Sequence, residues 1–400
     1  MSPVSRGRKK KPTKKKRSTP PRALPYRTVS LPPLPEPPKG QWFADSVKSV
    51  LGKADVLLTA STPREVEQAT TTLLGGEMHR AVHHERAGLY LSEWFKDVAA
   101  AAVAVDSETT ARLLYGMTML APHHLKFYAE TALHHVRPRL PDWLQDAEQV
   151  EATGDVWVMH DVYPSRIALI ASYQYPGEVL PAAFLFDLEA DTIPVTVVEP
   201  DLFGSVDQAV AAWRASVGAT ATGAEPVLVD SSETLQPLAQ LKTDKDSVVG
   251  DETRTTMDNW FRTSRRIQDL EEAMTNRGET LFPAVMRLYH DMEIDPVVAG
   301  FTAWYRELHG TEPAEGSVMA LATDWTEGVL PEFWHSVSPK RVQAQLAMFA
   351  DDWIPDDPLT GPAIALLPDW VRWHGEQAGL PEHLIDRAVT TAAAGLGHTD

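Results

Sequence analysis

"DVWVMHDVYPSRIALIASYQYPGEVLPAAFLFDLEADTIPVTVVEP", residues 155–200, is where the hydrophobic period of the chain changes from 3.6 to 2. Four apolar runs, "DVWVMHDVY", "RIALIASYQY", "EVLPAAFLFDLE" and "DTIPVTVVEP", are separated by the turn chemistry of "YPSR", "YPGE" and "EADT". Connections this short join antiparallel neighbours, so the spacing predicts a four-stranded meander. Pro194 removes a ladder donor from the fourth run, which places that strand at an edge or a bulge. Alternation is only partial, because "ALIASYQY" and "AAFLF" carry apolar residues on both faces, and the sheet is therefore expected to be covered on both sides. "SVDQAVAAWRASVG", closed by Gly218, supplies a helix for one of them.

On either side of this stretch the pattern is helical. Between Gln41 and Val150, Leu91, Trp94, Phe95, Val98, Ala102 and Val105 form one stripe. Leu125, Tyr128, Ala129, Ala132, Leu133 and Val136 form another, on a helix opened by Pro122. Beyond residue 230 helical periodicity returns, broken by prolines and glycines. The expected fold class is α+β: a helical N-terminal unit over 41–150, a small antiparallel four-stranded meander with its covering helix over 151–230, and a larger acidic, Trp-rich helical region over 231–400.

Composition bounds the function. The 400 residues are 43% hydrophobic, enough for a sizeable core, and contain no cysteine, which excludes disulfides, thiolate nucleophiles and sulfur-ligated zinc. No window approaches the ~18 consecutive apolar residues of a membrane span, and prolines follow the basic N-terminus where a signal peptide needs an apolar run. A cytoplasmic location without membrane association is expected.

The net charge of −18 hides a division. Residues 1–40 hold twelve Lys and Arg against Glu36 alone, a charge of +11, while the remaining 25 bases and 54 acids carry −29. Nine of the bases lie in "SRGRKKKPTKKKR": Arg6, Arg8, Lys9, Lys10, Lys11, Lys14, Lys15, Lys16 and Arg17. Ten prolines share the same forty residues. Such a segment buries too little apolar surface to offset its ordering entropy, so it is expected to be disordered, with "LPPLPEPPKG" as a polyproline-II spacer. Its nine bases are candidate contacts to nucleic acid or another polyanion.

"GGEMHRAVHHERAGLYLSEWF", residues 75–95, raises a metal site, with Glu77, His79, His83 and His84 as candidate ligands. A His-x-x-x-His pair on a helix stacks two imidazoles on one face, but the order is not His-Glu-x-x-His. Projected as one continuous helix, His84 shares the face of Leu91, Phe95 and Val98, which points instead to hydrogen-bonded core or boundary histidines. His123, His124, His134 and His135 fall away from the apolar stripe of their helix and are expected to be solvated. Asp351, Asp352 and Asp356 of "ADDWIPDDP" resemble the aspartate-rich motif of class I isoprenoid enzymes, yet Pro355 interrupts the helix that motif needs; an acidic loop is expected. In "WFRTSRRIQDLEEA", Arg262, Arg265 and Arg266 could contact phosphate, but Asp258, Asp269 and Glu272 lie close enough for pairing along a salt-bridged surface helix. No phosphate-cradling loop, dinucleotide fingerprint or hydrolase elbow is present.

The blocks "HDVYPSRIALIASYQYPGE", "FLFDLEADTI" and "AVAAW", with the "SRGRKKK" start, resemble hypothetical proteins of high-GC actinobacteria. The resemblance implies a bacterial cytosolic setting and transfers no catalytic residue. The expected function is that of a non-enzymatic binding or interaction protein. Its basic tail contacts nucleic acid without sequence specificity and is restrained by the acidic body; a protein partner is a second possibility and no cofactor is expected. The alternative is a metal-dependent enzyme using the histidine-rich helix 77–84.

Overall fold

A computed structural model describes residues 41–82, 91–145, 149–191, 195–229, 235, 237–238, 253–279, 293–327, 329–351 and 353–396. Its architecture is α+β. Ahead of the sheet lie α1 (Gln41–Lys53), α2 (Pro63–Val82), α3 (Leu91–Val105), α4 (Glu108–Leu120), α5 (His123–Val136) and the single turn α6 (Asp142–Gln145). The centre of this unit is α4, whose Leu113, Leu114, Met117 and Leu120 are wholly buried, with α2, α3 and α5 packed around it. Ser107 and Thr110 form a reciprocal capping box that satisfies two of its free N–H groups. Gly116 lets α2 approach: a Cβ there would lie 2.0 Å from Thr70 Oγ1. The predicted stripes on α3 and α5 are buried except at Val105 and Tyr128, which are exposed, and Leu133, which is half-buried. Val105 ends its helix and is exposed, and Tyr128 is exposed beneath the Lys96 ammonium, 4.8 Å from the ring centroid.

The sheet has six strands among the described residues, two more than the meander expected from the sequence. These are β1 (Glu151–His160), β2 (Arg166–Gln174), β3 (Ala182–Glu189), β4 (Thr196–Val197), β5 (Asp201–Phe203) and β6 (Val227–Leu228). The order is β4–β3–β2–β1–β6, with β5 also paired to β3, and every pairing is antiparallel. The extra strands are two and three residues long, too short for a period-2 signal. β4 is at the edge, as expected, while Pro194 lies outside the described residues.

Strand parity explains the apolar content of both faces. Leu169, Ala171 and Tyr173 of β2, with Phe184, Phe186 and Leu188 of β3, join the main core. Ala168, Ile170, Ala183 and Leu185 point the other way, onto α7 (Val206–Val217), where Trp213 is the central side chain. This helix begins at the Ser205 cap and stops at Gly218, whose φ of 72° is open to glycine without strain. Asp187, on the α7 face of β3, accepts from Trp213 Nε1 at 3.1 Å and from both arms of Arg166 at 2.6 and 2.7 Å.

The C-terminal half contributes α8 (Arg254–Asp258), α9 (Trp260–Asn276), α10 (Asp295–His309), α11 (Ser317–Thr326), α12 (Pro339–Asp351), α13 (Thr360–Ala365), α14 (Leu367–Gln377) and α15 (Glu382–Leu396). α9 lies across β1 and also packs on α4 and α2, so it covers the second face of the sheet. α10 to α15 enclose an aromatic centre of Phe301, Trp325, Trp370 and Trp373. This half is anchored to the sheet region at Asp191, which accepts from the hydroxyls of Ser336 at 3.1 Å and Ser338 at 2.6 Å. One hydrophobic cluster runs from Phe43 to Ala392 through all these layers. No described helix is long and apolar enough to cross a membrane.

Candidate functional site

The most unusual chemistry in the interior is on α9, and it corrects the expectation of a surface helix. Arg262 is 0% exposed, Arg266 1% and Arg265 4%. Burying guanidinium groups is costly unless they are paired, and the pairing reaches far along the chain. Glu67 of α2, itself 0% exposed, accepts from Arg262 Nε at 2.7 Å and from Arg266 Nη2 at 2.5 Å. Asp269 accepts from Arg265 Nε at 2.7 Å and from Arg266 Nη1 at 2.5 Å. Of the other two acids expected to pair with these arginines, Asp258 binds Arg254 at 2.7 Å and Glu272 binds His123 at 2.7 Å.

Strand β2 and the residue just past it complete the enclosure. Tyr175 donates to Glu67 at 3.1 Å and accepts from Arg266 at 3.1 Å, and Tyr173 donates to the Arg266 carbonyl at 2.7 Å. The Arg266 guanidinium also lies 5.2 and 5.6 Å from the centroids of these two rings, within cation–π range. Burial works against its charge, yet Glu67, Tyr175 and Asp269 together hold its pKa well above the ordinary arginine value. Burial raises Asp269, with Arg266 and Arg265 pulling it back.

Three buried arginines face two buried carboxylates, so the enclosed cluster carries one excess positive charge. Arg266 Nε, Arg262 Nη2 and the Tyr115 hydroxyl have no hydrogen-bond partner among the described residues. Tyr115 is 6% exposed, and burial together with the Glu67 charge pushes its phenol up to about 12. Arg266 and Tyr115 both line a cavity of about 360 Å³ between α4, α5, α6 and α9.

A second polar centre lies among the tryptophans. His335 Nδ1 and His374 Nδ1 are 2.8 Å apart, so one ring must donate and the other accept. The wholly buried His374 is ringed by Trp325, Trp370 and Trp373. Burial holds its pKa well below the ordinary histidine value, and the neighbouring His335 and Arg341 add to this. Burial likewise lowers His335. Arg341, stacked 4.1 Å over Trp325, is itself pushed down to about 10 by burial.

Of the metal-ligand candidates read from the sequence, Glu77 and His79 fall within the described residues. Glu77 is buried on the last turns of α2, where its carboxylate accepts from Ser49 and Lys53 at 2.6 Å each and from both arms of Arg80 at 2.9 and 2.6 Å. Both oxygens are thus engaged. His79 is half-buried near Asp258. Glu77 and His79 lie on α2; the projection that relates them to the Leu91–Val98 stripe runs through residues 83–90, which lie outside the described residues. His83 and His84 lie outside the described residues, as do the basic residues from Arg6 to Arg17. Among the described residues, no three His, Asp or Glu side chains converge as a metal site. His124, His134 and His135 are exposed on α5, as is His123 with its Glu272 partner. Asp351 closes α12, and Asp356 lies in the exposed turn beyond it.

Neither a protein-family model, nor a curated protein, nor a solved structure matches the chain. The site is therefore read from its own geometry.

Proposed function

We propose that the protein binds nucleic acid or a related polyanion, without sequence specificity, through Arg6, Arg8, Lys9, Lys10, Lys11, Lys14, Lys15, Lys16 and Arg17. The acidic body restrains this tail. The observation that carries the reading is the charge division, +11 over residues 1–40 against −29 over the rest. Side-chain pairing in the body supports it. Arg112 is tied to Glu108, Arg139 to Asp106, and Arg372 to Glu382 and Asp386, while the arginines of α9 are enclosed with Glu67 and Asp269. A polyanion approaching the body meets surplus carboxylates, and one approaching the tail meets a dense run of cations.

The test compares the full chain with residues 41–400 on one duplex oligonucleotide over a salt series. Binding by the full chain is expected to weaken steeply, with log K falling by ~0.9 per phosphate neutralised for each unit of log salt. Removal of residues 1–40 is expected to abolish binding. A truncated protein that binds as tightly as the full chain would place the activity elsewhere.

A further inference from the structure

We propose that the hairpin tip between β2 and β3, with the hollow beside it, is a self-association face on which a second copy of this chain docks about a two-fold axis. Val179 is 93% exposed and Leu180 73%, the most exposed large hydrophobic side chains among the described residues. Two adjacent branched side chains left in water forgo burial that a partner can supply. The loop that presents them is held in place. Gln174 donates to the carbonyls of Tyr175 at 3.0 Å and Glu178 at 2.6 Å, and the Glu178 N–H donates to the Tyr175 carbonyl at 3.2 Å. Arg64 of α2 pairs with Glu178 at 3.1 Å. A tip fixed before binding has little freedom to lose on docking.

A recess for such a tip lies next to it. A hollow of about 310 Å³ opens between α2 and β5, lined by Arg64, Glu65, Gln68, Leu202, Phe203 and Gly204. Arg64 belongs to both features, lining the hollow and pairing at the root of the tip. Phe203 is the ladder partner of Ala183, three residues past Leu180. A projection and a recess side by side are self-complementary: a two-fold axis between them seats each copy's tip in the other's hollow, which is an isologous contact. Charge favours the same occupant. Glu178 is engaged by Arg64, and Glu65 accepts from the Ser61 N–H and hydroxyl at 2.7 and 2.8 Å, so neither acid is left open for a basic segment. With Arg64 set against these two acids the face is close to neutral, which lets two bodies of −29 approach there.

The experiment is analytical ultracentrifugation of the full chain from low micromolar to millimolar concentration at low and high salt. Dimers are expected with a Kd on the order of 10–100 μM, since a contact of this size lies at the low end of stable interfaces. Salt is expected to tighten the dimer by screening the repulsion between two net-negative copies, whereas a dimer held by one copy's basic tail on the other's acidic body would weaken. Leu180→Asp at the tip and Gln68→Trp, which fills the hollow from an exposed position on α2, are each expected to raise Kd at least about hundredfold, because every dimer loses the contact twice. Mixing the two variants is expected to give a heterodimer, as the intact tip of one still fits the intact hollow of the other. The inference is overturned by a chain that stays monomeric to millimolar concentration, by a dimer that salt weakens, by variants that leave dimerisation unchanged, or by a mixture that forms no heterodimer. Monomers that bind phosphatidylcholine vesicles, with binding lost in Leu180→Asp, would assign the tip to a lipid surface instead.

Discussion

Replacing Glu67 by glutamine is expected to lower the unfolding free energy by about 3–5 kcal/mol, the range found when one partner of a buried ion pair is removed. The side chain keeps its size, so no cavity opens. What is lost is the charge that Arg262 Nε and Arg266 Nη2 both approach, at 2.7 and 2.5 Å, in a region from which water is excluded. The enclosed excess would rise from one positive charge to two, with Asp269 the only buried carboxylate left among five groups. Tyr175, which donates to Glu67, would also lose its anionic acceptor. Urea denaturation of the two proteins measures the difference, and a loss below about 1 kcal/mol would mean that the cluster is hydrated or its charges are otherwise met. Changing Glu67 and Arg262 together to apolar residues of similar volume is expected to cost less than Glu67→Gln alone, because no unpaired charge is then stranded at Arg262.

Acid is expected to destabilise the protein from about pH 6.5 downward, and the histidine pair is the cause. His374 is held neutral in the folded chain, its pKa well below the ordinary value through burial. The unfolded chain takes up a proton at this residue near pH 6.5 while the folded chain does not. The unfolded state therefore binds more protons, and stability rises with pH through this window. It is fully present above the unfolded pKa and falls by about 1.4 kcal/mol per pH unit below it, with His335, lowered in the same direction, adding to the slope. Arg341 is the cation facing the pair, and its own lowered value of about 10 leaves it charged throughout. Asp191, close to Arg341, is raised by burial and contributes the opposite slope above its unfolded pKa of about 3.9. Unfolding free energies between pH 7.5 and 5.5 for the natural chain and for His374→Gln isolate the histidine contribution. The variant is expected to show a shallower slope whatever its absolute stability; identical slopes would remove His374 as the source.

The sheet was legible in the sequence because its chemistry is local. Period-2 alternation and proline–glycine turns marked β1 to β3, and Ser205 and Gly218 bracket the helix that covers them. β5 and β6 left no such mark, since two or three residues cannot display a period. The arginines of α9 were misplaced for a different reason. Asp269 lies within helical reach of Arg265 and Arg266, which is also how an exposed helix arranges its charges. The decisive partner, Glu67, is 195 residues from Arg262. Projected around the helix, the arc holding Arg262, Arg265, Arg266 and Asp269 is bordered by Leu270 and Met274 on one side, but on the other the exposed Glu272 falls between Arg265 and Phe261, so the charged face continued to the surface and masked the burial. Tyr115 and the cavity it lines had no local pattern to announce them, because the walls come from four helices and from Arg137, Leu140, Gln149 and Val150 between them.

The restraint of the tail by the body is the central functional claim, and it rests on tethering. A +11 segment joined to a −29 body meets it at an effective concentration that reaches the millimolar range, while a nucleic acid competes from solution. Contacts between exposed charges are screened over ~8 Å at physiological salt, so the proposed association is expected to be diffuse and salt-sensitive. The direct measurement is the affinity of a single oligonucleotide for a peptide of residues 1–40 and for the full chain, at stepped salt concentrations. The peptide is expected to bind more tightly at low salt, with the difference closing as salt rises. Equal affinities at every salt concentration would contradict the account, because the body would then exert no hold on the tail.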